Sequence, residues 1–311
     1  MRAWRTSCVL AAAACVALLV RPDDTGDLPF FLHAAHRLLS ADWANVFADP
    51  NVQVGPVQLL VFGLADHGVL LPLVVQVGSA ALLWVTAGRL LTGRALHAQL
   101  LAGLAAVALG LTYGAYQDGH PAQLIVPLLW VLAGLEARAG RTVLGGALVG
   151  LSAGFELWGL LGAIVFVLAP RVRAAVAGLA TEVSVVAGLF LPFVLAGQFR
   201  MFEYSWRVNP DTLLGLLAEP GTPFTWSLRL LQGVAALGVG VALAWTLRHT
   251  LHAVWLGPLA VVAVRLALDP VRYPWYWLAL ETLVLLGAAE LLTSDLVRTA
   301  RRRRIEDLRA S

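Results

Sequence analysis

Three carboxylates, Asp23, Asp24 and Asp27, stand within five residues directly after the first hydrophobic run of the chain. Acids gathered at the mouth of a membrane span can take a proton from a hydroxyl, or hold a divalent cation through oxygen ligands. Proton abstraction needs a single carboxylate within hydrogen-bond reach of the hydroxyl. Metal binding needs several converging ligands, and three acids in one loop more often form a solvated face, so no metal or other cofactor is expected. Asp27 also has a competing role as the N-cap of the helix that follows.

Other residues have chemistry at the same level. His120 lies at the outer end of an apolar run, where it is either a structural hydrogen-bonder or a contact to substrate. Glu156 and Glu281 are expensive to bury and are functional candidates by default, with pairing to Arg265 or Arg272 as the plain alternative. Arg207, Arg265 and Arg272 are candidates for a phosphate clamp, because a guanidinium grips phosphate oxygens with two parallel donors. The stretch Arg272-Tyr-Pro-Trp-Tyr-Trp277 is an aromatic belt at the membrane boundary or, at Trp275 or Tyr276, a surface for a sugar face.

The elements that must position these groups are membrane helices. The 311 residues are 59% hydrophobic and 13% charged, with a mean hydropathy of +0.78, more apolar than one soluble core of this size can bury. The basic residues are all arginine, and the Ala-, Gly-, Leu- and Val-rich composition fits a GC-rich bacterial genome. The excess positive charge sits largely in Arg298-Thr-Ala-Arg-Arg-Arg-Arg304. Directly after the last apolar run, this cluster is expected to meet anionic lipid headgroups, not nucleic acid. Cys8 and Cys15, seven residues apart on one helix, cannot bridge and read as packing residues. Arg2 and Arg5 before the first run leave a signal peptide open, but no clear small-residue cleavage site precedes Arg21, which favours an uncleaved helix.

About ten apolar passes are expected, near 4–20, 69–88, 96–116, 120–137, 142–154, 156–169, 174–195, 226–246, 251–268 and 274–293. Every second connection is arginine-rich, at Arg89 and Arg94, Arg138 and Arg141, Arg171 and Arg173, Arg248 and the tail. Arginine-rich connections face the cytoplasm, so both termini are placed there, in the plasma membrane. The expected fold is an all-α, polytopic, single integral membrane domain over residues 1–311, with external segments at about 21–68 and 196–225 and a cytoplasmic tail at 294–311. The pair 142–154 and 156–169 is too short for two full spans, since about 13 helical residues cover only about 20 Å of a 30 Å core. A hairpin with a cavity above it is expected. From Leu28 to Ser40 the apolar positions Leu28, Phe31, Leu32, Ala35, Leu38 and Leu39 share one helical face, and His33, His36, Arg37 and Ser40 the other. Such a helix lies flat at the interface.

The pattern Asp-Leu-x-x-Phe-x-x-Ala-Ala-x-x-Leu-Leu at Asp27 to Leu39, with Gln53-Val-Gly-Pro-Val-Gln58, Gly119-His120-Pro121 and the hairpin Gly145 to Glu156, resembles the GT-C superfamily of membrane glycosyltransferases. The likeness is to the polyprenyl-phosphate-mannose-dependent branch, glycosyltransferase family 87. It covers about the first 170 residues, and the remainder only by general layout. The resemblance implies an inverting transfer of a sugar, mannose in that branch, from a polyprenyl-phosphate donor to a glycolipid or glycan acceptor. Asp27 matches the family's catalytic acid, Asp24 is the second candidate, and His120, Glu156, Arg207, Arg272, Tyr273 and Trp275 are candidate substrate contacts. Two positions depart from the family: Phe31 stands where a hydroxyl-bearing aromatic is frequent, and Glu156 where a lysine is expected. Competing readings are a transporter or flippase, which needs charges near the bilayer midplane, and a non-catalytic partner subunit of the same fold.

Overall fold

The computed structural model describes residues 3–20, 26–91 and 96–310, with side chains to Ser294. Asp23, Asp24, Arg94 and the side chains of the basic tail lie outside the described residues. The chain is about 76% helical. In chain order the helices are α1 (Ala3–Leu19), α2 (Leu28–Leu38), α3 (Pro56–Ala65), α4 (Leu70–Leu90), α5 (Leu96–Ala108), α6 (Leu111–Gln117), α7 (Ala122–Arg138), α8 (Thr142–Phe155), α9 (Val172–Ala196), α10 (Trp226–Thr246), α11 (Ala253–Ala267) and α12 (Trp277–Ala310). Among the described residues, five segments, 70–90, 97–117, 172–196, 226–246 and 274–294, are long and apolar enough to cross a membrane. The paired strands β1 (Trp206–Arg207) and β2 (Pro223–Phe224) close a small hairpin in the loop before α10.

The main core joins α4 to α8 and α10 to α12, with Trp130, Leu83, Leu128 and Ile164 fully buried. A second core lies under α2 and α3, where Phe31, Phe47, Phe62, Phe190 and Phe193 meet. α2 buries Leu28, Phe31, Ala34 and Ala35 and exposes His33 and His36, following the alternation of its apolar and polar positions. Cys8 and Cys15 are unbridged, but they lie exposed on α1 and not packed as expected, because the neighbouring helices cover the face carrying Val9 and Ala13.

Charge separates the two ends of the bundle. At one end Arg89 and Arg141 both bond the Glu136 carboxylate, and Arg138 donates to the carbonyls of Arg248 and Thr250. Asp27, His120, Glu156, Arg229 and Asp269 belong to the opposite end. The second leg of the short hairpin, Leu157–Leu168, is a 3-10 helix and not the α-helix expected. Gly159, Gly162 and the β-branched Ile164, Val165 and Val167 favour α-helix poorly. At about 2.0 Å rise per residue the 12 residues reach about 24 Å, where an α-helix would reach about 18 Å. Trp130 holds this leg to α7 by donating its Nε1–H to the Gly159 carbonyl at 2.9 Å.

Candidate functional site

Asp27 is set in place by two chain turns pressed together. Its backbone N–H donates to the Asp118 carbonyl (3.3 Å). Beside it, Gly119 holds φ at +76°, and a Cβ there would stand 2.8 Å from Leu28 Cα. Only glycine accepts both the left-handed backbone and the close approach. Gln58 of α3 ties down the same turn by donating to the Gly119 carbonyl at 2.8 Å.

The Asp27 side chain does not cap α2. Pro29, in the first turn, has no N–H to donate to a capping side chain, and Asp27 has helical backbone angles (φ −90°, ψ −2°) where a capping residue is extended. The carboxylate points instead at His120, with Oδ2 3.0 Å from Nε2. On the other side of the ring, Nδ1 lies 3.2 Å from Glu156 Oε1. Glu156 Oε2 accepts from Gln123 Nε2 (2.9 Å) and Trp158 Nε1 (2.6 Å). Glu156 occupies the extended turn at the hairpin tip, bridged to Val54, and the Gly55 N–H donates to the Phe155 carbonyl at 2.6 Å. The approach is so close that a Cβ on Gly55 would stand 2.2 Å from the Gly154 carbonyl oxygen.

A doubly protonated His120 donates to both carboxylates at once. Its ring is stacked on Trp275 (centroids 4.7 Å apart, 9° between planes), Trp275 is stacked on Tyr273 (4.6 Å, 5°), and Phe31 meets the imidazole edge-on at 5.2 Å. Burial alone pushes the His120 pKa down. The hydrogen bonds to Asp27 and Glu156, with their charges, outweigh it and hold the pKa above the usual 6.5. The remaining acid facing the ring is Asp118, whose own pKa is raised by burial, opposed by His120 and reinforced by Asp27.

This sets a sign for stability. A group whose pKa is raised on folding stabilises fully below its unfolded value and loses that contribution as pH rises through the folded one. The wild-type protein in detergent is therefore expected to melt higher at pH 6 than at pH 8.5, with His120→Gln flattening the profile. An equal pH slope in the variant would place the titration elsewhere.

His120 and Glu156 also line a cavity of about 630 Å³. Its walls are largely apolar, from Leu157, Leu160 and Leu161 of the hairpin and Leu230, Val234 and Leu237 of α10. Leu230 and Val234 are exposed on the outer face of α10. Trp206 and Trp226 form an aromatic wall. Two arginines enter. Arg229 is ion-paired with Asp269 at 2.8 Å and lies over Trp206. Arg265 is 6% exposed, packs over Trp158 and Tyr276, and its buried Nη1 has no hydrogen-bond partner. Among the described residues Arg265 forms no ion pair. Asp27 is half-exposed and does not line this cavity, which it reaches only through His120.

Of the candidates drawn from sequence, the structure gathers Asp27, His120, Glu156, Tyr273 and Trp275 into one cluster and puts Arg265 at the same cavity. Arg207 stands apart, exposed on β1 and donating to the Gly221 carbonyl at 3.1 Å. Arg272 lines a separate cavity of about 260 Å³. Glu156 pairs with His120 and not with an arginine, and Glu281 is exposed on α12 without an ion pair to Arg265 or Arg272. Arg229, Gln123 and Trp158 were not anticipated. An arginine in the first turn of an apolar pass was a readable signal for Arg229, and Gln123, in the first turn of α7, follows His120 by three residues. Among the described residues, no three His, Cys, Asp or Glu side chains converge to hold a metal ion.

The helix lengths and composition define a multi-pass helical membrane protein. Compared with known proteins, the chain matches no family model, no curated protein and no solved structure.

Proposed function

We propose that the protein is a glycosyltransferase that moves a sugar from a polyprenyl-phosphate donor to an acceptor hydroxyl at the outer face of the plasma membrane. The observation that carries this reading is a base candidate, Asp27, coupled through His120 to an apolar cavity that also contains an unpaired buried arginine. The cavity suits a lipid chain, and Arg265 suits its headgroup. Arg229 is already neutralised by Asp269, so Arg265 is left to match the single negative charge of a lipid-phosphate sugar.

In the reaction Asp27 Oδ1, which has no partner among the described residues, takes the proton of the acceptor hydroxyl. The hydroxyl oxygen bonds to the anomeric carbon while the bond from that carbon to the phosphate oxygen breaks. The electron pair leaves with the lipid phosphate, whose added charge Arg265 stabilises. His120 stays protonated, bridging Asp27 and Glu156, and acts as a positioning residue. The five long helices and the shorter apolar ones together form the ten passes, with the Glu136 end cytoplasmic because it collects the arginines.

Purified protein in lipid vesicles should convert a radiolabelled polyprenyl-phosphate mannose and octyl mannoside into a new labelled glycoside. If no lipid-phosphate sugar is consumed with any glycoside acceptor, the reading fails.

A further inference from the structure

The loop between α9 and α10 carries an apolar projection that the site does not use. In Leu213-Leu-Gly-Leu-Leu217, Leu214 turns inward onto the cluster of Trp206, Val208, Phe224 and Val271. Leu216 and Leu217 are each 78% exposed, and Leu213 is half-exposed. Local bonds hold the leucines in this position. The Thr212 hydroxyl donates to the Asn209 carbonyl (2.8 Å) and accepts from the Gly215 N–H (3.1 Å), and the Ala218 N–H donates to the Leu214 carbonyl (2.8 Å). A Cβ on Gly215 would collide with the Asn209 carbonyl oxygen, so the turn closes only around glycine. The Asn209 N–H donates to the Pro270 carbonyl at 2.8 Å and so ties the turn to the connection between α11 and α12.

The neighbours of the turn indicate what covers it. Leu213 lines the smaller cavity together with Leu266 and Ala267, at the end of α11, and Tyr273 and Trp277, at the start of the 274–294 span. Tyr273 and Trp277 are themselves exposed, in the aromatic stretch of the kind that sits where hydrocarbon gives way to headgroups. The leucine turn is therefore seated beside the mouth of a membrane span, and its bare surface continues the lipid-facing surface of that span. Exposed charges bracket it, Asp211 before and Glu219 after, and Arg272 lines the same small cavity. Leucines at the tip with charges at the edges is the order of a segment that lies in the interface. In water the two leucines would leave a contiguous apolar patch uncovered, whereas acyl chains remove it from water.

We infer that Leu213–Leu217 is a membrane anchor, inserted into the bilayer leaflet at the Asp27 end of the bundle, with lipid acyl chains as its partner. The anchor bears on the larger cavity. Phe202 and Trp206, from the same loop, wall that cavity, and Leu214 packs on the Trp206 cluster. Lipid on one side of the turn thus holds a cavity wall on the other. The inference does not depend on the transfer reading, since the wall encloses the cavity whatever reaction it serves.

Fluorescence quenching of the full chain in lipid nanodiscs tests the insertion. Cys8 and Cys15, both exposed on α1, are replaced by alanine, and an NBD probe is attached through Leu217→Cys or, as a control, Glu219→Cys. Nanodisc lipids carry a nitroxide either near the top of the acyl chain or near its end. The probe at 217 should lose more emission to the shallow nitroxide than to the deep one, placing it at the depth of about 5–10 Å typical of interfacial segments. The probe at 219 should be quenched less by both. A probe at 217 quenched no more than the one at 219, or by neither lipid, would put the turn in water or against protein and overturn the anchor. With the probe moved to Leu213→Cys, Leu216→Ser together with Leu217→Ser should abolish the quenching seen while those leucines are present. Quenching that persists would show that the fold alone sets the depth and would overturn the role of the leucines.

Discussion

Asp27→Asn is expected to leave a folded, membrane-inserted protein whose transfer from a lipid-phosphate sugar falls by about 10² or more, the usual contribution of a general base. The substitution keeps the size of the side chain and a polar contact to His120 Nε2, and it removes no capping bond, since the carboxylate makes none. Position 27 is half-exposed, so the loss of charge has little desolvation consequence for the fold. The donor KM should stay within about twofold, because Asp27 does not line the larger cavity. Near wild-type turnover in the variant would remove Asp27 as the base, and activity lost only on substitution of Asp23 or Asp24 would move the base into that loop.

Arg265→Gln should do the opposite in one respect and raise or preserve thermal stability while donor binding falls. A buried cation without a carboxylate partner destabilises the resting protein, and taking it away relieves that penalty. A hydrogen bond to a charged group is worth about 1.5–3 kcal/mol, so donor affinity should fall by about 10- to 100-fold. Arg265→Lys should recover only part, because an ammonium cannot form the two-point fork. Melting temperature and donor KM measured on the same preparations separate the outcomes. A variant that is less stable and binds donor normally would make Arg265 a packing residue held by Trp158 and Tyr276.

The architecture was largely legible because membrane helices announce themselves by run length, and the observed bounds of α4, α9 and α10 lie close to the expected runs. The 3-10 form of Leu157–Leu168 was not legible, since one apolar run supports either helix until neighbours fix its length. At the site, sequence named Asp27, His120, Glu156 and Trp275 separately but not their joining. Asp27 and His120 are brought together by the left-handed turn at Gly119, and Glu156 by the backbone bridge to Val54, both contacts between distant segments. The arginines were sorted only by position. Arg207, Arg265 and Arg272 were all named from their place near the boundary, but that Arg229 is the one Asp269 pairs with, and that Arg265 is the one buried at the cavity, are tertiary facts.

The hairpin of α8 and Leu157–Leu168 has a consequence for biogenesis. Its first leg, 14 residues, spans about 21 Å, too little to partition stably into a bilayer about 30 Å thick on its own. It has to enter against α7, and its tip carries Glu156. Until that tip docks beside Val54, His120 and Gln123 lack their shared acceptor in a low-dielectric setting, where unmatched polar groups are most unfavourable. The bridge that organises the site therefore also gives His120 and Gln123 the acceptor that matches them in the folded protein.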